Sequence, residues 1–195
     1  MAQLKIGRKV VTDSDIEPYV IAEIGVNYYE VAEKYSIDIV DAAKLMIREA
    51  KNAGADAVKL QIYKAERLAS RFAEAYWDTR ANPIKSQLEL FKKYDQLNLN
   101  DYEKLTKYAN SIGIDVIATP FDEESADFVA NNMPAIKISS SDITNIPFIK
   151  YIASFGKPIL LSTGAANMAE IFKAVLAIEG CGNSNIVLLH CILEY

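Results

Sequence analysis

The sequence has few of the residues on which several classes of protein depend. Its two cysteines, Cys181 and Cys191, are too few for a disulfide scaffold and lack CxxC spacing, which is typical of a reducing cytoplasm. Its single histidine, His190, is a poor basis for a histidine-rich metal site or a Ser-His-Asp triad. These shortages disfavour secreted disulfide-rich domains and the common hydrolase mechanisms.

Long apolar runs and an excess of positive charge are missing as well. No run approaches the roughly 18 to 20 apolar residues that a membrane-spanning helix needs, and residues 1–9 are too polar for a secretory signal. The formal net charge of −5 offers no basic surface to nucleic acid. We therefore expect a cytoplasmic globular protein with no membrane or nucleic-acid partner.

Short apolar segments rich in Ile, Val and Leu recur along the chain and alternate with amphipathic segments. Such runs are typical of strands that are buried on both faces of a parallel sheet. The repeated order of strand and helix indicates βαβ units and an α/β fold. The six predicted strands are 19–25, 57–63, 114–121, 135–140, 158–164 and 186–192.

The segments between the predicted strands carry helix signals. A helix with one apolar face is predicted over 39–53, with Ser36 as its N-cap and Gly54 as the left-handed residue after its end. Asn100 and Glu103 resemble the capping box of a second long helix. Shorter helices are predicted over 123–131, 147–154 and 168–178.

Polar residues in the middle of the strands favour a barrel over an open sheet. Lys59 and Gln61 alternate with apolar neighbours, and Glu23 and Lys137 do so in their own strands. In a (β/α)8 barrel such side chains face an interior that is open to ligand at one end. No GxGxxG or GxxxxGK[ST] motif indicates a doubly wound nucleotide-binding fold. The sequence thus predicts a TIM-type barrel that is incomplete in this chain, with about six of the eight βα units.

Two lysines are the first candidates for chemistry. An unpaired ammonium buried among apolar residues costs several kcal/mol by a rough estimate, so Lys59 and Lys137 each need water, a carboxylate or an anionic ligand. Glu23 can neutralise one of them, and a phosphate or carboxylate ligand would satisfy the other. The alternative, that each lysine reaches solvent or pairs with a structural acid, stays open.

Hydroxyl side chains cluster at three predicted strand ends, the side on which barrels of this type bind ligands. Hydroxyls and backbone N–H groups are natural phosphate ligands. The same residues can also begin turns and cap helices. The clusters are Thr119-Pro120, Ser139-Ser140-Ser141 and Ser162-Thr163-Gly164.

Two further features have more than one interpretation. His190 follows the sixth strand and is either a satisfied core histidine or a site residue. The segment 64–87, which contains Phe72, Tyr76 and Trp77, is either a lid or docking surface or an excursion packed over the barrel.

In their order, the motifs of residues 19–195 closely resemble the N-terminal domain of the sialic acid (N-acetylneuraminate) synthase family. No single motif is specific, but their joint occurrence in one register is. The motifs are Ile21-Ala22-Glu23-Ile24-Gly25-Val26-Asn27, Gly54-Ala55-Asp56-Ala57-Val58-Lys59-Leu60-Gln61, Thr119-Pro120-Phe121, Ala135-Ile136-Lys137-Ile138-Ser139-Ser140-Ser141-Asp142-Ile143, Gly156-Lys157-Pro158, Leu161-Ser162-Thr163-Gly164 and His190-Cys191.

The resemblance implies a phosphoenolpyruvate-dependent condensing enzyme on a TIM barrel. Such enzymes join phosphoenolpyruvate to an open-chain N-acetylated amino sugar and release a nine-carbon 2-keto acid and phosphate. Carried over by position, the expected catalytic residues are Glu23 at the sugar end and the two lysines, Lys59 and Lys137, at the anion. The expected substrate-binding residues are Gln61, Thr119, Ser140, Ser162 and Tyr195.

The resemblance also implies a divalent cation, manganese or magnesium, that polarises the sugar aldehyde. The metal-binding histidines of the family belong to the last two barrel units, beyond Tyr195. We therefore expect 1–195 to be the N-terminal part of a homo-oligomeric synthase, without the last two units, the metal ligands or the antifreeze-like C-terminal domain. Such a part is expected to be inactive alone. Tyr28-Tyr29-Glu30 replaces the usual His-Asn-Gly, a departure on the sugar side.

Two other functions stay open. A Schiff-base aldolase also uses a strand lysine in a TIM barrel, but that lysine must be neutral in order to form an imine. A truncated barrel without catalytic activity would only bind a ligand or a partner chain.

Overall fold

A curled sheet of six parallel strands forms the centre of the protein. The structure, a computed structural model, describes residues 3–15, 17–80 and 82–192. The strands are β1 (Gln3–Ile6), β2 (Lys9–Thr12), β3 (Ile21–Gly25), β4 (Ala57–Ile62), β5 (Asp115–Pro120), β6 (Ile136–Ile138), β7 (Ile159–Ser162) and β8 (Ile186–Leu189). Strands β3 to β8 lie side by side in chain order and are parallel, so the predicted α/β fold and incomplete TIM-type barrel are confirmed.

Helices connect successive strands and cover the outer face of the sheet. Each returns the chain to the same end of the sheet, so that the next strand lies parallel to the last. The helices are α1 (Tyr28–Tyr35), α2 (Ile39–Asn52), α3 (Ala65–Leu68), α4 (Gln87–Lys93), α5 (Leu99–Ser111), α6 (Glu123–Asn132), α7 (Ile146–Ala153) and α8 (Met168–Glu179).

Two predicted helix caps are wrong. Asp38, and not Ser36, caps α2, because its carboxylate accepts hydrogen bonds from the first turn. Ser36 instead ends α1, a helix that the sequence analysis did not predict, in the left-handed conformation at φ 53°. The capping box of α5 is Asn98 with Asp101, two residues before the predicted pair Asn100 and Glu103.

The strands separate two cores with different roles. Outward side chains such as Val58 and Leu60 pack beneath the helices in the larger core. Inward side chains near the amino ends of the strands form a smaller core, in which Ile117 and Leu160 contact Ile6 of the β1–β2 hairpin. This hairpin, which the sequence analysis did not predict, packs against the lower barrel interior. In the pairing register, Lys59 lies beside Ile117 and Lys137 beside Leu160, so this core adjoins the two inward lysines.

The turn of the hairpin depends on a glycine. Gly7 has φ +55°, a conformation that costs an L-residue about 1–2 kcal/mol. Its missing side chain also makes room for Asp115, because a Cβ at Gly7 would collide with the Asp115 carboxylate. That carboxylate accepts hydrogen bonds from the backbone N–H of Arg8 at 2.8 Å and from its guanidinium at 2.7 Å. The hairpin is thus attached to the start of β5.

The sheet has two open edges in the part of the chain that the structure describes. There, β3 pairs only with β4 and β8 only with β7. Beside the β8 edge, Met168, Phe172 and Leu176 follow one another at single-turn spacing along α8, and each is half or more exposed. Within the same described residues, no helix is long and apolar enough to cross a membrane.

Candidate functional site

The two predicted lysines and two predicted partners meet inside the barrel. Lys59 on β4 is only 8% exposed. Its ammonium lies 2.7 Å from the Glu23 carboxylate on β3 and donates to the Thr119 hydroxyl on β5 at 3.3 Å. Parallel register explains the contact, because Glu23 is paired with Lys59. The prediction that Glu23 neutralises one lysine is confirmed.

Lys137 on β6 is the second buried cation, 7% exposed. Its ammonium donates to the backbone oxygen of Ile138 at 2.6 Å, and no carboxylate of the described residues lies within 4.0 Å of it. Burial, and after it the positive charge of Lys59, lowers the pKa of Lys137 to about 8. The two lysines therefore share one small space.

The predicted hydroxyl residues lie at or just after the carboxyl ends of three strands and differ in burial. Thr119 and Ser162 are buried at the carboxyl ends of β5 and β7. Ser140 is partly buried and begins a short 3-10 helix after β6. Gln61, partly buried, is paired with Thr119 across the sheet. Tyr195 lies outside the described residues, so its predicted role in sugar binding stays a prediction.

Gly25 brings two of these side chains together. A β-bulge lies between Glu23 and Gly25, and Gly25 itself has φ +57°. A Cβ at this glycine would lie 3.5 Å from the Glu23 carboxylate and 3.8 Å from the side-chain carbon Cδ of Gln61. Both are ordinary van der Waals distances, so the left-handed φ, and not a lack of space, is what favours glycine here. Its place at the end of a strand beside a polar residue was the available sequence signal.

A buried chain of tyrosine hydroxyls supports β4 from outside the barrel. Tyr102 on α5 donates its hydroxyl proton to the backbone oxygen of Gln61 at 3.2 Å. A phenol has one proton to donate, so the hydroxyl of Tyr28, 3.1 Å away, must be the donor to Tyr102. Burial raises the pKa of Tyr28, which keeps it protonated. No local sequence pattern predicts this chain, because it joins three elements.

The structure also shows where two residues of Tyr28-Tyr29-Glu30 lie, the segment that replaces the usual His-Asn-Gly of the family. Tyr28 is fully buried in the outer core, and the Tyr29 hydroxyl accepts a hydrogen bond from the backbone N–H of Gln96 at 2.8 Å. Neither ring therefore lines the barrel mouth.

His190 and the segment 64–87 contribute less to the interior. His190 is exposed beyond the end of β8 and is not a core histidine. Within the segment, Ala75 donates to the Lys85 oxygen at 2.8 Å and the Trp77 indole donates to Ile84 at 3.1 Å. Its backbone thus folds back on itself, while Phe72 and Tyr76 remain exposed.

A surface cavity of about 720 Å³ lies outside the barrel between α6 and α7. Two of its acidic side chains share one arginine: Arg67 lies 3.2 Å from Asp122 and 2.7 Å from Glu124. It therefore suits an anion less well than the barrel interior does.

Metal binding has no basis in these residues alone. In the described ranges, no three or more side chains of His, Cys, Asp or Glu are grouped so that they could hold a metal ion.

The fold and the interior site define an incomplete TIM-type barrel with a cationic, hydroxyl-lined interior. The model of the NeuB family matches residues 46–195, and the chain belongs to this family. An N,N'-diacetyllegionaminic acid synthase of Campylobacter jejuni is 39% identical over 182 residues, 90% of this chain and 52% of that protein. An uncharacterized protein of Methanocaldococcus jannaschii is 37% identical over 196 residues, 100% of this chain and 52% of the relative.

A solved structure agrees with these relatives. The crystal structure of an N-acetylneuraminic acid (sialic acid) synthetase from Leptospira borgpetersenii, in complex with citrate, matches with a TM-score of 0.80 and 26% identity. The match covers 100% of this chain and 60% of that one. The resemblance to the sialic acid synthase family is confirmed, and the chain spans about half the length of the curated relatives it matches.

Proposed function

We propose that this chain provides the phosphoenolpyruvate-binding part of a synthase that makes sialic-acid-type 2-keto acids. The observation that carries the proposal is the pair of buried lysines, Lys59 and Lys137, in one interior space. Within the described residues, only Lys59 has a carboxylate within 4.0 Å, so the two lysines and Glu23 together carry an excess of positive charge. A ligand with two anionic groups would give each lysine a partner once Glu23 is displaced from Lys59.

The contacts support a role for each group in this proposal. Lys59 and Lys137 bind the phosphate and carboxylate of phosphoenolpyruvate, and buried hydroxyls supply uncharged hydrogen bonds. Glu23 is bonded to Lys59 in the free protein, but its side chain is 56% exposed. An arriving anion competes for Lys59, which leaves Glu23 to position water at the sugar end. The hydroxyl donors are Thr119, Ser140 and Ser162, with Gln61 beside them.

The proposed reaction forms one carbon–carbon bond and releases phosphate. The C3 carbon of phosphoenolpyruvate attacks the aldehyde carbon of an open-chain N-acetylated amino sugar, whose oxygen takes up a proton. Water adds at C2, and the C2–O bond to phosphate breaks, which gives the 2-keto acid. The manganese or magnesium ion that the family resemblance implies would polarise the aldehyde, and the described residues of this chain offer no group of ligands for it.

Replacing Lys59 tests the anion site. Lys59→Met is expected to weaken phosphoenolpyruvate binding by about 1.5 to 3 kcal/mol, the range for hydrogen bonds to charged groups. Isothermal titration calorimetry on the purified chain measures the affinity. Lys44→Met is the matched control, since Lys44 lies on the outside of α2 and pairs with Asp41. Unchanged affinity in Lys59→Met, or an equal loss of affinity in Lys44→Met, would contradict the assignment of Lys59 to the anion site.

Turnover separates this proposal from a Schiff-base aldolase. An aldolase would join pyruvate to an aldehyde, or cleave the product, in the absence of phosphoenolpyruvate. Buried hydroxyls beside two cations suit a phosphate ester better than a simple keto acid, so no such turnover is expected. Its detection would favour the aldolase.

A further inference from the structure

Lys137 differs from Lys59, the other buried cation of the site, in the group that its nitrogen contacts. Its nitrogen contacts the carbonyl oxygen of Ile138 at 2.6 Å. A carbonyl oxygen accepts a hydrogen bond from a neutral amine as well as from an ammonium. By contrast, Lys59 is held against the carboxylate of Glu23 at 2.7 Å, which favours its charged form. Nothing in the contact of Lys137 requires a proton to stay on it.

The surroundings of Lys137 shift its pKa in both directions. Burial acts most strongly and lowers its pKa, and Lys59 on β4 acts in the same direction. Cys191, after β8, and Glu23 on β3 act against them. The pKa of Lys137 is therefore about 8, so half of its amines are neutral at pH 8. An exposed lysine, with a pKa of about 10.4, has roughly 0.4% of its amines neutral at the same pH.

A neutral lysine beside a second cation is the arrangement that makes a nucleophilic amine. The neighbouring Lys59, together with Thr119 at 3.3 Å from it, offers a place for an anionic group. We propose that Lys137 is a covalent capture site, which forms an imine with small aldehydes that carry a phosphate group. The position of the phosphate rests on the proposed function, whereas the reactivity of the amine does not.

The step needs no reagent beyond the aldehyde. The lone pair of Lys137 Nζ attacks the carbonyl carbon, a C–N bond forms, and a proton moves from nitrogen to oxygen. The resulting hydroxyl leaves as water with a proton from solvent, which gives the imine. No electron transfer occurs. An occupied Lys137 blocks the interior to other anions, so capture inhibits the site without any turnover.

Pyridoxal 5′-phosphate is a suitable probe, because it is an aldehyde with a phosphate group. The chain is treated near pH 8, the imine is reduced with borohydride, and the modified lysines are located by peptide mass analysis. Lys137 is expected to be labelled at least ~10-fold faster than exposed lysines, since its neutral fraction is on the order of 100-fold larger. Labelling at equal rates on exposed lysines would overturn the proposal.

Two variants keep the test independent of folding. Lys137→Arg retains a cation but cannot form an imine, and it is expected to lose the fast label while keeping its circular dichroism spectrum. Lys44→Met, on the outside of α2, is expected to keep the label. A fast label that persists in Lys137→Arg would place the reactive amine elsewhere and refute the assignment.

Competition separates this inference from the proposed function. Phosphoenolpyruvate is expected to slow the labelling of Lys137, and pyridoxal without its phosphate is expected to react more slowly. Equal rates for the two aldehydes would refute the phosphate requirement. If Lys137 is labelled fast but phosphoenolpyruvate gives no protection, the capture site stands and the proposed function fails. If phosphoenolpyruvate binds but Lys137 is not labelled, the proposed function stands and the capture site is refuted.

Discussion

Lys59 and Lys137 are both buried, and within the described residues only Lys59 has a carboxylate within 4.0 Å. Burial, and after it the charge of Lys59, lowers the pKa of Lys137 to about 8, well below that of an exposed lysine. A lysine with a lowered pKa loses its charge while other lysines keep theirs. Anion binding and folding stability must then depend on pH in opposite directions.

Phosphoenolpyruvate affinity is expected to fall as pH rises through about 8, because Lys137 loses its proton there. Calorimetric titrations between about pH 7 and 9 measure the effect. Lys137→Met is expected to bind weakly throughout this range, with no such fall. A wild-type affinity that is flat across the range would show that Lys137 does not hold the anion.

Without ligand, the free energy of unfolding is expected to change with pH in the opposite direction to the affinity. Below pH 8 both folded and unfolded Lys137 carry the proton, and the cost of burying the charge is fully present. Between about 8 and 10.5 the unfolded chain holds a proton that the folded chain has lost, so stability rises with pH. The free energy of unfolding of the wild type should therefore increase relative to Lys137→Met over this window.

The hydroxyl chain of Tyr28 and Tyr102 gives a second prediction for single residues. Tyr102→Phe removes the donor to the Gln61 oxygen and the acceptor of Tyr28, so it is expected to lower the free energy of unfolding by about 1–3 kcal/mol. Urea unfolding measures the change. Tyr35→Phe, at an exposed tyrosine, is the control with no expected effect.

A double variant tests whether the hydroxyls act together. Tyr28→Phe combined with Tyr102→Phe leaves no buried phenol without a partner, so its cost is expected to be smaller than the sum of the single costs. Additive losses would mean that the two hydroxyls are not coupled.

Among the elements, the β1–β2 hairpin depends most on one backbone position. Gly7 is left-handed and faces the Asp115 carboxylate. Without this close approach, Arg8 could not reach Asp115, and Ile6 would leave the lower core. The hairpin thus packs below the site without contributing a group to it.

Gly7→Ala is expected to destabilise the chain by more than the about 1–2 kcal/mol that a left-handed alanine costs, because its Cβ meets Asp115. Gly156→Ala is the matched control, since Gly156 has φ +67° and nothing within 4 Å of the new Cβ. Thermal unfolding compares the two variants. Equal losses would show that the hairpin tolerates the contact.

At the scale of the molecule, two sheet edges and an apolar helix face are exposed together. The edge of β8 has unpaired backbone groups, and the neighbouring face of α8 exposes Phe172 and Leu176. Exposed edges and large apolar patches are sites of association between chains.

The 195-residue chain is accordingly expected to self-associate or to be only marginally stable alone. Sedimentation velocity at increasing concentration measures association. Phe172→Glu is expected to reduce it, whereas Phe72→Glu, at an even more exposed phenylalanine on the segment 64–87, is not. A monomer that unfolds cooperatively in calorimetry would contradict the prediction.

Local sequence patterns predicted the six barrel strands, their order along the chain and the inward phase of Lys59 and Lys137. These features follow from local periodicity, since alternating side chains of a strand face opposite sides of the sheet. Local patterns also predicted α2, α5, α6, α7 and α8, but not α1, α3 or α4. The caps did not follow from such patterns, because Asp38 and Asn98 act where the packed faces of α2 and α5 begin.

Three features follow from the three-dimensional fold and not from local sequence: which lysine is paired, which tyrosines are buried and how the hairpin packs against the lower core. The Glu23 carboxylate reaches Lys59 and not Lys137, and Tyr102 reaches Gln61 across 41 positions of sequence. Charge states and hydrogen bonds in a barrel interior depend on distances between strands far apart in the chain. Local pattern contains no information on those distances, so the lowered pKa of Lys137 emerges only when β4 and β6 are placed in one sheet.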